Sequence, residues 1–163
     1  MSMALFSQLI IHLYSNFEAA FDKRIIQLSD YENPITVMPE REQVDEDLVG
    51  IFDAFEAIAT ANSAGVEKYK NISQSLLQKG RTDIKSYRED YVIGGNFLNT
   101  KMPLFPKRVN VLVGLYNSVP KHSRPLSVNY MSNSLLGYLD NSTAIPRKIT
   151  VSNHPLPFTM TVS

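Results

Sequence analysis

Apolar and polar residues alternate most regularly in the last third of the chain. Within 108–116 the odd-numbered residues Val109 to Leu115 share one face of an extended segment, while Leu112 and Tyr116 make the other face apolar. Both faces are therefore expected to contact packed neighbours. This pattern predicts an interior strand in a sheet that is covered on both sides.

A helix is predicted directly after that strand. Ser123 is placed to cap the free amides of the first turn, and Pro125 lies where a missing N–H costs nothing. Apolar residues then recur at helical spacing, which predicts one stripe that packs on the sheet and a polar surface on the other side. The predicted stripe is Val128, Met131, Leu135 and Leu139, and the predicted surface positions include Asn129, Ser132 and Asn133.

A second strand is predicted after the turn region 140–146. Ile149 and Val151 alternate with Lys148, Thr150 and Ser152, as in a strand with one buried face. A strand, a helix and a strand in this order normally form a right-handed parallel crossover. We therefore expect a C-terminal β-α-β unit.

The upstream chain alternates short strands with helices. Glycines punctuate it: Gly65 is expected at or beyond the end of the first long helix, and Gly94–Gly95 indicates a bulge or a close backbone approach. The strand that contains this pair is expected to neighbour the Arg108 strand. The predicted elements are the strands RIIQLS and ITVM, a helix with the stripe Leu48, Ile51, Phe52, Phe55, Ile58 and Ala59, a strand and helix in VEKYKNISQSLLQKG, and the strand DYVIGGNFL.

These elements together predict one α+β (or α/β) domain over residues 18–163. Its mixed sheet should have about five strands with helices packed on it. Residues 1–17 form a separate apolar segment, in which Met3–Phe17 is interrupted by Gln8 and His12 and is too short to span a bilayer unaided. The segment fits either the outer end of a truncated membrane helix or an amphipathic core helix.

Composition narrows the class of protein only slightly. The chain has 163 residues, enough for one domain with a real core, and its 16 acidic and 16 basic residues cancel. No whole-chain field therefore favours nucleic acid or an anionic membrane surface. The absence of cysteine excludes a disulfide framework, a thiolate nucleophile and a cysteine zinc site, but leaves the compartment open.

Sequence motifs for catalysis, metal binding or a cofactor are missing. The chain has no phosphate-binding loop of the form G-x-x-x-x-G-K-[ST] and no G-x-S-x-G elbow. His12, His122 and His154 lie far apart, and His122 is better explained as a turn residue that positions the following helix. The acidic run from Glu40 to Asp47 lacks the ligand spacing of a calcium loop and fits a solvated helix start. We therefore expect no enzyme activity, metal or cofactor in this segment.

The C-terminal third carries a family resemblance. The run Leu115-Tyr116-Asn117, followed by a helix and ITVSNHPLP, resembles the end of an extracellular domain in subfamily A of the ATP-binding cassette transporters, which are lipid exporters. That family often has a second Asn where this chain has Ser118. The residues that match the family motif are Tyr116, Asn117, His122, Pro125, Asn133, Asn153 and Pro155.

The resemblance implies a function for a larger protein. The chain would be a fragment, the extracellular or lumenal domain of a membrane protein, joined to the bilayer at both ends. It would contribute to transport as a scaffold or lipid conduit, with lipid as its substrate and the rest of the transporter as its partner. ATP and Mg would bind only in nucleotide-binding domains outside this segment, and no nucleic acid is implied.

Two N-glycosylation sequons agree with an extracellular or lumenal location. Asn71-Ile72-Ser73 and Asn141-Ser142-Thr143 both satisfy the acceptor rule, and the second lies in the turn region before the last predicted strand. The alternative interpretation is a free-standing soluble α/β binding or adaptor domain with no transport role. A small hydrolase is a third hypothesis, disfavoured because no nucleophile and base are placed together.

Overall fold

The computed structural model of the chain describes residues 24–140 and 147–153. Its two compact units are Ile26–Val151 and a second unit made from Met1–Ile25 and Ser152–Ser163. In the second unit the described part is one short antiparallel pair, in which Arg24 lies opposite Asn153. The predicted segment 1–17 falls outside the described residues. In chain order the elements are β1 (Arg24–Ile25), β2 (Ile35–Pro39), α1 (Glu46–Ala61), β3 (Gly65–Tyr69), α2 (Ile72–Thr82), α3 (Ile84–Glu89), β4 (Tyr91–Lys101), β5 (Arg108–Tyr116), α4 (Ser123–Leu139) and β6 (Ser152–Asn153).

The unit Ile26–Val151 is built on a mixed four-stranded sheet in the order β3-β2-β4-β5. β2 is parallel to both β3 and β4, whereas β5 is antiparallel to β4. The predicted α+β fold with a mixed sheet is confirmed, with four strands in this sheet where about five were expected. The predicted proximity of β4 and β5 is also confirmed.

The larger part of the core lies between one face of the sheet and the helices α1 and α4. The predicted stripe of α1 is buried through Leu48, Phe52 and Phe55, and Asp45 caps the helix by accepting a hydrogen bond from the Asp47 amide at 3.2 Å. Phe97 of β4 meets the α1 aromatic rings edge to face, with centroids 5.5 and 5.8 Å apart. These contacts explain why α1 was predictable from its sequence pattern.

A smaller apolar cluster lies on the other face of the sheet, under α2 and α3. Its buried residues are Val37, Ile72 and Tyr91. Helices therefore pack on both faces of the parallel strands, with α1 and α4 on one face and α2 and α3 on the other. The half-buried residues around this cluster are Ile35, Tyr69, Leu76, Tyr87 and Leu115.

The glycine pair of β4 makes the expected close approach. A Cβ on Gly94 would lie 2.7 Å from the carbonyl oxygen of Val37, so a side chain there would force β2 and β4 apart. The register shift between these strands lies two residues earlier, between the pairs Ile35–Tyr91 and Thr36–Ile93. The bulge and the close approach are therefore separate features of the strand.

The prediction that β5 is an interior strand is wrong. β5 is the edge strand of the sheet, and the alternating valines of its outer face are only half buried. Nor do the described residues after α4, 147–153, form a strand parallel to β5, because β6 pairs with β1 in the other unit. Within these residues the expected C-terminal β-α-β crossover is therefore not formed.

The predicted orientation of α4 is also wrong, although Met131 of the predicted stripe is buried. Val128 and Leu139 are 62% and 65% exposed, whereas Asn129 and Asn133 are 8% and 7% exposed. Helix α4 buries small and polar side chains together with Leu126, Tyr130 and Met131. The reason is found in the hydrogen bonds of the asparagines and in a close contact with β5, described below.

Candidate functional site

Asn117 joins four segments at the end of β5. Its side-chain amide donates hydrogen bonds to the carbonyl oxygens of Tyr87 and Tyr91, each at 2.9 Å. Its side-chain oxygen accepts from the Val119 amide at 3.1 Å, and its backbone carbonyl accepts from the Ser123 hydroxyl. This motif residue therefore fixes α3, the start of β4 and the start of α4 to one point.

The start of α4 differs from the sequence prediction in one respect. Ser123 is the first helical residue and uses its hydroxyl on Asn117, so it does not cap the helix. His122 is the residue before the helix, and its φ of 65° places it in the left-handed region. The interpretation of His122 as a turn residue agrees with this geometry. Pro125 lies in the first turn, where no intrahelical N–H is required.

Tyr116 lies beside this junction and is half exposed. The Arg124 guanidinium donates to the Tyr116 hydroxyl at 2.6 Å and lies 5.0 Å from the centre of its ring. This cation–π contact holds the side chain of the last β5 residue against the first turn of α4. Four motif residues therefore lie together where β5 ends and α4 begins. They are Tyr116, Asn117, His122 and Pro125.

Asn133 forms a second junction in the middle of α4. Its side chain accepts from the Ile149 amide at 2.8 Å and donates to the Ile149 carbonyl at 2.9 Å. Asn129, one turn earlier, donates to the same carbonyl at 2.9 Å. The amide of Asn133 thus supplies both bonds that a neighbouring strand would supply, and this is why polar residues occupy the buried face of α4.

The remaining motif and sequon residues are less informative. Asn153 lies in β6, while Pro155 and Asn141 fall outside the described residues. Asn71 is exposed and caps α2 by accepting from the Gln74 amide at 3.1 Å. The Asn71 side chain uses its oxygen in this bond, so the nitrogen to which a glycan is attached does not take part in the cap.

Asn71 also borders a cavity of about 240 Å³. The cavity lies where β2 and β3 end and α2 begins, beside the outward half of β4. The cavity lies at the carboxyl ends of β2 and β3, and β2 has a parallel neighbour on each side. Open α/β sheets commonly bind ligands at this edge, so we call it the carboxyl-edge cavity. Its lining consists of Pro39, Gln43, Lys70, Asn71, Ile72, Ser73, Asn96, Phe97 and Leu98.

Glu67 connects two tyrosines on the α2 side of the sheet. The Tyr91 hydroxyl donates to its carboxylate at 2.6 Å, the Tyr69 hydroxyl donates to the same oxygen, and the two hydroxyls are 3.3 Å apart. Burial, then the hydrogen bond to Glu67, raises the pKa of Tyr91 far above its ordinary value, and the same two causes raise the pKa of Tyr69. Both tyrosine hydroxyls donate to one carboxylate, so the group links β3 to the start of β4 across β2.

Metal-ligating side chains are dispersed in the part of the chain that the structure describes. Within residues 24–140 and 147–153 no three His, Asp or Glu side chains are grouped so that they could hold a metal ion. None of the helices described there has the length and apolarity needed to cross a bilayer. The chain matches no protein-family model, and no curated protein matches it.

Sequence reasoning missed three features of these sites. Asn129 lies off the predicted apolar stripe of α4, so the helical pattern places it on the surface. The Glu67 cluster was missed because its tyrosines lie 22 residues apart, on strands that are not neighbours in the sheet. The carboxyl-edge cavity depends on strand order, and the sequence pattern gave no information on that order.

Proposed function

We propose that this chain is an extracellular-domain fragment of a subfamily A ATP-binding cassette transporter. In that role it contributes to ATP-driven lipid transport as a scaffold or lipid conduit, and it performs no catalysis itself. The ATP and Mg needed for transport bind to domains outside this segment. The proposal rests on the sequence resemblance of the C-terminal third.

The observation that best supports the proposal is the structural use of the motif residues. Asn117 fixes the end of β5, His122 makes the left-handed turn, and Asn133 binds the backbone at Ile149. Asn117, His122 and Asn133 therefore each fix the backbone at a junction between segments of the stretch from β5 to Ile149. A match spread over such a stretch is less easily accidental than a match to a short run of residues.

The decisive experiment is to read the source transcript on both sides of the segment. The proposal predicts apolar runs of about 20 residues on each side and, further downstream, a G-x-x-x-x-G-K-[ST] loop. A stop codon immediately after Ser163, with no membrane-length segment upstream, would contradict it.

Glycosylation gives a second test, of the predicted extracellular or lumenal location. When the chain is routed through the secretory pathway of cultured cells, we expect a glycan on Asn71 that an endoglycosidase removes. Ser73→Ala should abolish this glycan while keeping the helix cap that Asn71 makes. Asn71→Gln should abolish it too, at a cost of about 1 kcal/mol in stability from the lost cap. Thr143→Ala tests Asn141 in the same way, and a chain that enters the pathway without glycans would weigh against the location.

The carboxyl-edge cavity favours a second candidate, a soluble α/β domain that binds a small ligand. A glycan on Asn71 would stand at the border of this cavity and obstruct it. The two candidates therefore make opposite predictions for the same residue. Ligand binding should shift the backbone NMR signals of Asn96 and Ser73, and glycosylation at Asn71 should prevent that shift. If a broad small-molecule screen leaves both signals unmoved, the binding-domain candidate is disfavoured.

A further inference from the structure

The hairpin between β4 and β5 ends in an exposed apolar turn. The Phe105 amide donates to the Met102 carbonyl at 3.1 Å, and Pro103 presets the backbone of this turn. Leu104 at its apex is 91% exposed, and Phe105 is 51% exposed. Met102 is 38% exposed as well, so three neighbouring apolar side chains lie at the surface of this turn, and such a cluster points to an apolar environment outside the chain.

Apolar surface continues from the turn down one face of the hairpin. Leu98 is 40% exposed and lies opposite Val111 in the strand register, so both side chains share a face. Phe97 and its partner Leu112 face the core with α1. The Leu98 face is therefore the opposite one, where β5 is only half buried. Among the described strands, the outer part of β4 pairs with β5 alone, so the hairpin extends beyond β2.

The charge around this turn has one sign. Of the 16 acidic residues, 15 precede Tyr91 and the last is Asp140, so the stretch 91–139 contains none. Three basic residues flank the turn at Lys101, Lys107 and Arg108. Among the described residues none of these three forms an ion pair, and the Arg108 guanidinium donates instead to Asn99. The charge of the turn is therefore free to act on a partner.

We propose that the hairpin tip, residues 101–108, inserts into the surface of a membrane that carries anionic phospholipids. Leu104 and Phe105 enter the boundary between headgroups and acyl chains, while the flanking cations stay at the level of the phosphates. Pro103 and Pro106 restrict the backbone of the turn, so little conformational freedom is lost on insertion. The inference depends on the hairpin alone and holds whether or not the chain belongs to a transporter.

The absence of tryptophan allows a local test. Phe105→Trp in the full chain puts one fluorophore at the tip, and Leu77→Trp puts one on α2 at a side chain that is 57% exposed. With vesicles of equal parts phosphatidylserine and phosphatidylcholine, the tip fluorophore should shift to the blue and the α2 fluorophore should not. The shift should be lost with phosphatidylcholine alone and should weaken at high salt.

Substitutions separate the apolar contribution to vesicle affinity from the contribution of the basic residues. In the Phe105→Trp background, Leu104→Ser should lower the apparent vesicle affinity about tenfold, and Lys101→Gln or Lys107→Gln about fivefold each. Leu77→Ser removes an exposed apolar side chain elsewhere and should leave the affinity unchanged. All of these positions are at least partly exposed, so the circular dichroism spectrum should stay constant.

Three outcomes would overturn the inference. The first is no blue shift at the tip with anionic vesicles, which is the result expected if the tip docks on a protein. The second is an equal shift with phosphatidylcholine alone, which would exclude the role of charge. The third is vesicle binding by the chain without any shift at the tip, which would assign the membrane contact to another segment. None of these outcomes bears on the flanking transcript, so the proposed transporter role stands or falls separately.

Discussion

Asparagine side chains complete the backbone hydrogen bonding of this protein at the places where regular structure stops. Asn117 serves the end of β5, and Asn129 and Asn133 serve the segment that follows α4. An amide side chain suits this task because it carries a donor and an acceptor in the same arrangement as a peptide group. A backbone group that leaves its ladder without such a partner would lose free energy.

The first prediction concerns Asn117. Asn117→Ala removes three donated bonds and one accepted bond that link α3, β4 and the turn before α4. We expect the free energy of unfolding to fall by about 2–4 kcal/mol, because half-buried carbonyl groups lose their partner. The midpoint of urea unfolding measures this change.

Asn110→Ala provides the matched control. Asn110 also accepts a side-chain hydrogen bond, from Asn99 at 2.8 Å, but it lies on the exposed edge strand. Its removal should change the free energy of unfolding by no more than about 0.5 kcal/mol. If both variants lose the same free energy of unfolding, the hydrogen bonds of Asn117 stabilise the fold no more than the bond of an exposed asparagine.

At the scale of elements, the close contact between β5 and α4 shows why α4 buries small residues. A Cβ on Gly114 would lie 2.7 Å from the Ser127 hydroxyl oxygen, so the strand and the helix approach without room for a methyl group. Ser127 is 1% exposed, and its hydroxyl has no hydrogen-bond partner among the described residues. The hydroxyl therefore occupies space in this contact without a compensating bond.

The second prediction follows from this contact. Gly114→Ala should lower the free energy of unfolding by about 1–3 kcal/mol, since the new methyl group forces the helix away from the strand. Ser127→Ala alone should be neutral or stabilising, because it removes a buried polar group that has no partner. The double variant should recover part of the loss, with a coupling of about 0.5 kcal/mol or more in denaturant titrations.

Additive effects in the double variant would contradict this account of the contact. A shared loss of helicity in all three variants would indicate instead that the substitutions act on α4 itself, and circular dichroism distinguishes that case. Gly137 in the same helix supplies a control position, because a Cβ added there would have no contact within 4 Å outside the backbone of α4. Gly137→Ala should stabilise α4 by roughly 0.5–1 kcal/mol from helix propensity.

The contrast between α1 and α4 shows how far the sequence pattern reaches. The α1 stripe was predicted because Leu48, Phe52 and Phe55 pack on a sheet with no competing polar requirement. The α4 prediction failed because Asn133 is buried by a backbone segment 16 residues away. Periodicity measures only the apolar content of a face, so it cannot detect a polar face that is buried by long-range hydrogen bonds.

The sequence pattern also does not reveal whether a strand lies in the interior or at the edge of the sheet. β5 has apolar residues on both faces, which is typical of an interior strand, yet it lies at the edge of the sheet. The motif residues of the candidate site were identified from the resemblance, but their role as junctions needed the folded arrangement. Tyr87 and Tyr91, which Asn117 binds, lie 30 and 26 residues earlier in the chain.

At the scale of the whole molecule, a net charge of zero conceals a strong separation along the chain. Acidic residues are concentrated before Tyr91, and all the charged residues in the stretch 91–139 are lysine or arginine. The zero net charge of the whole chain therefore does not describe the hairpin between β4 and β5, where the basic residues and the exposed apolar turn lie together. A second property of the unit Ile26–Val151 is spread along the chain, because the surroundings of four tyrosines raise the pKa of their hydroxyls.

The third prediction concerns stability in alkali. Burial is the main cause that raises the pKa of Tyr31, Tyr69, Tyr91 and Tyr130, and the Glu67 carboxylate adds to it for the Tyr69–Tyr91 pair. In the unfolded chain these hydroxyls titrate near pH 10, whereas in the folded chain they titrate at higher pH. The unfolded state therefore loses protons first. The stabilisation from these groups is complete below about pH 10 and declines as the pH rises above it.

Urea unfolding measured between neutral pH and strong alkali tests this sign. The free energy of unfolding of the unaltered chain should decline above about pH 10. Tyr91→Phe removes one titrating group, so its curve should decline less steeply whatever its stability at neutral pH. Glu67→Gln should also flatten the curve, because the uncharged amide no longer opposes ionisation of the two hydroxyls that face it. Parallel curves for the unaltered chain and Tyr91→Phe would show that this hydroxyl does not govern the alkaline loss of stability.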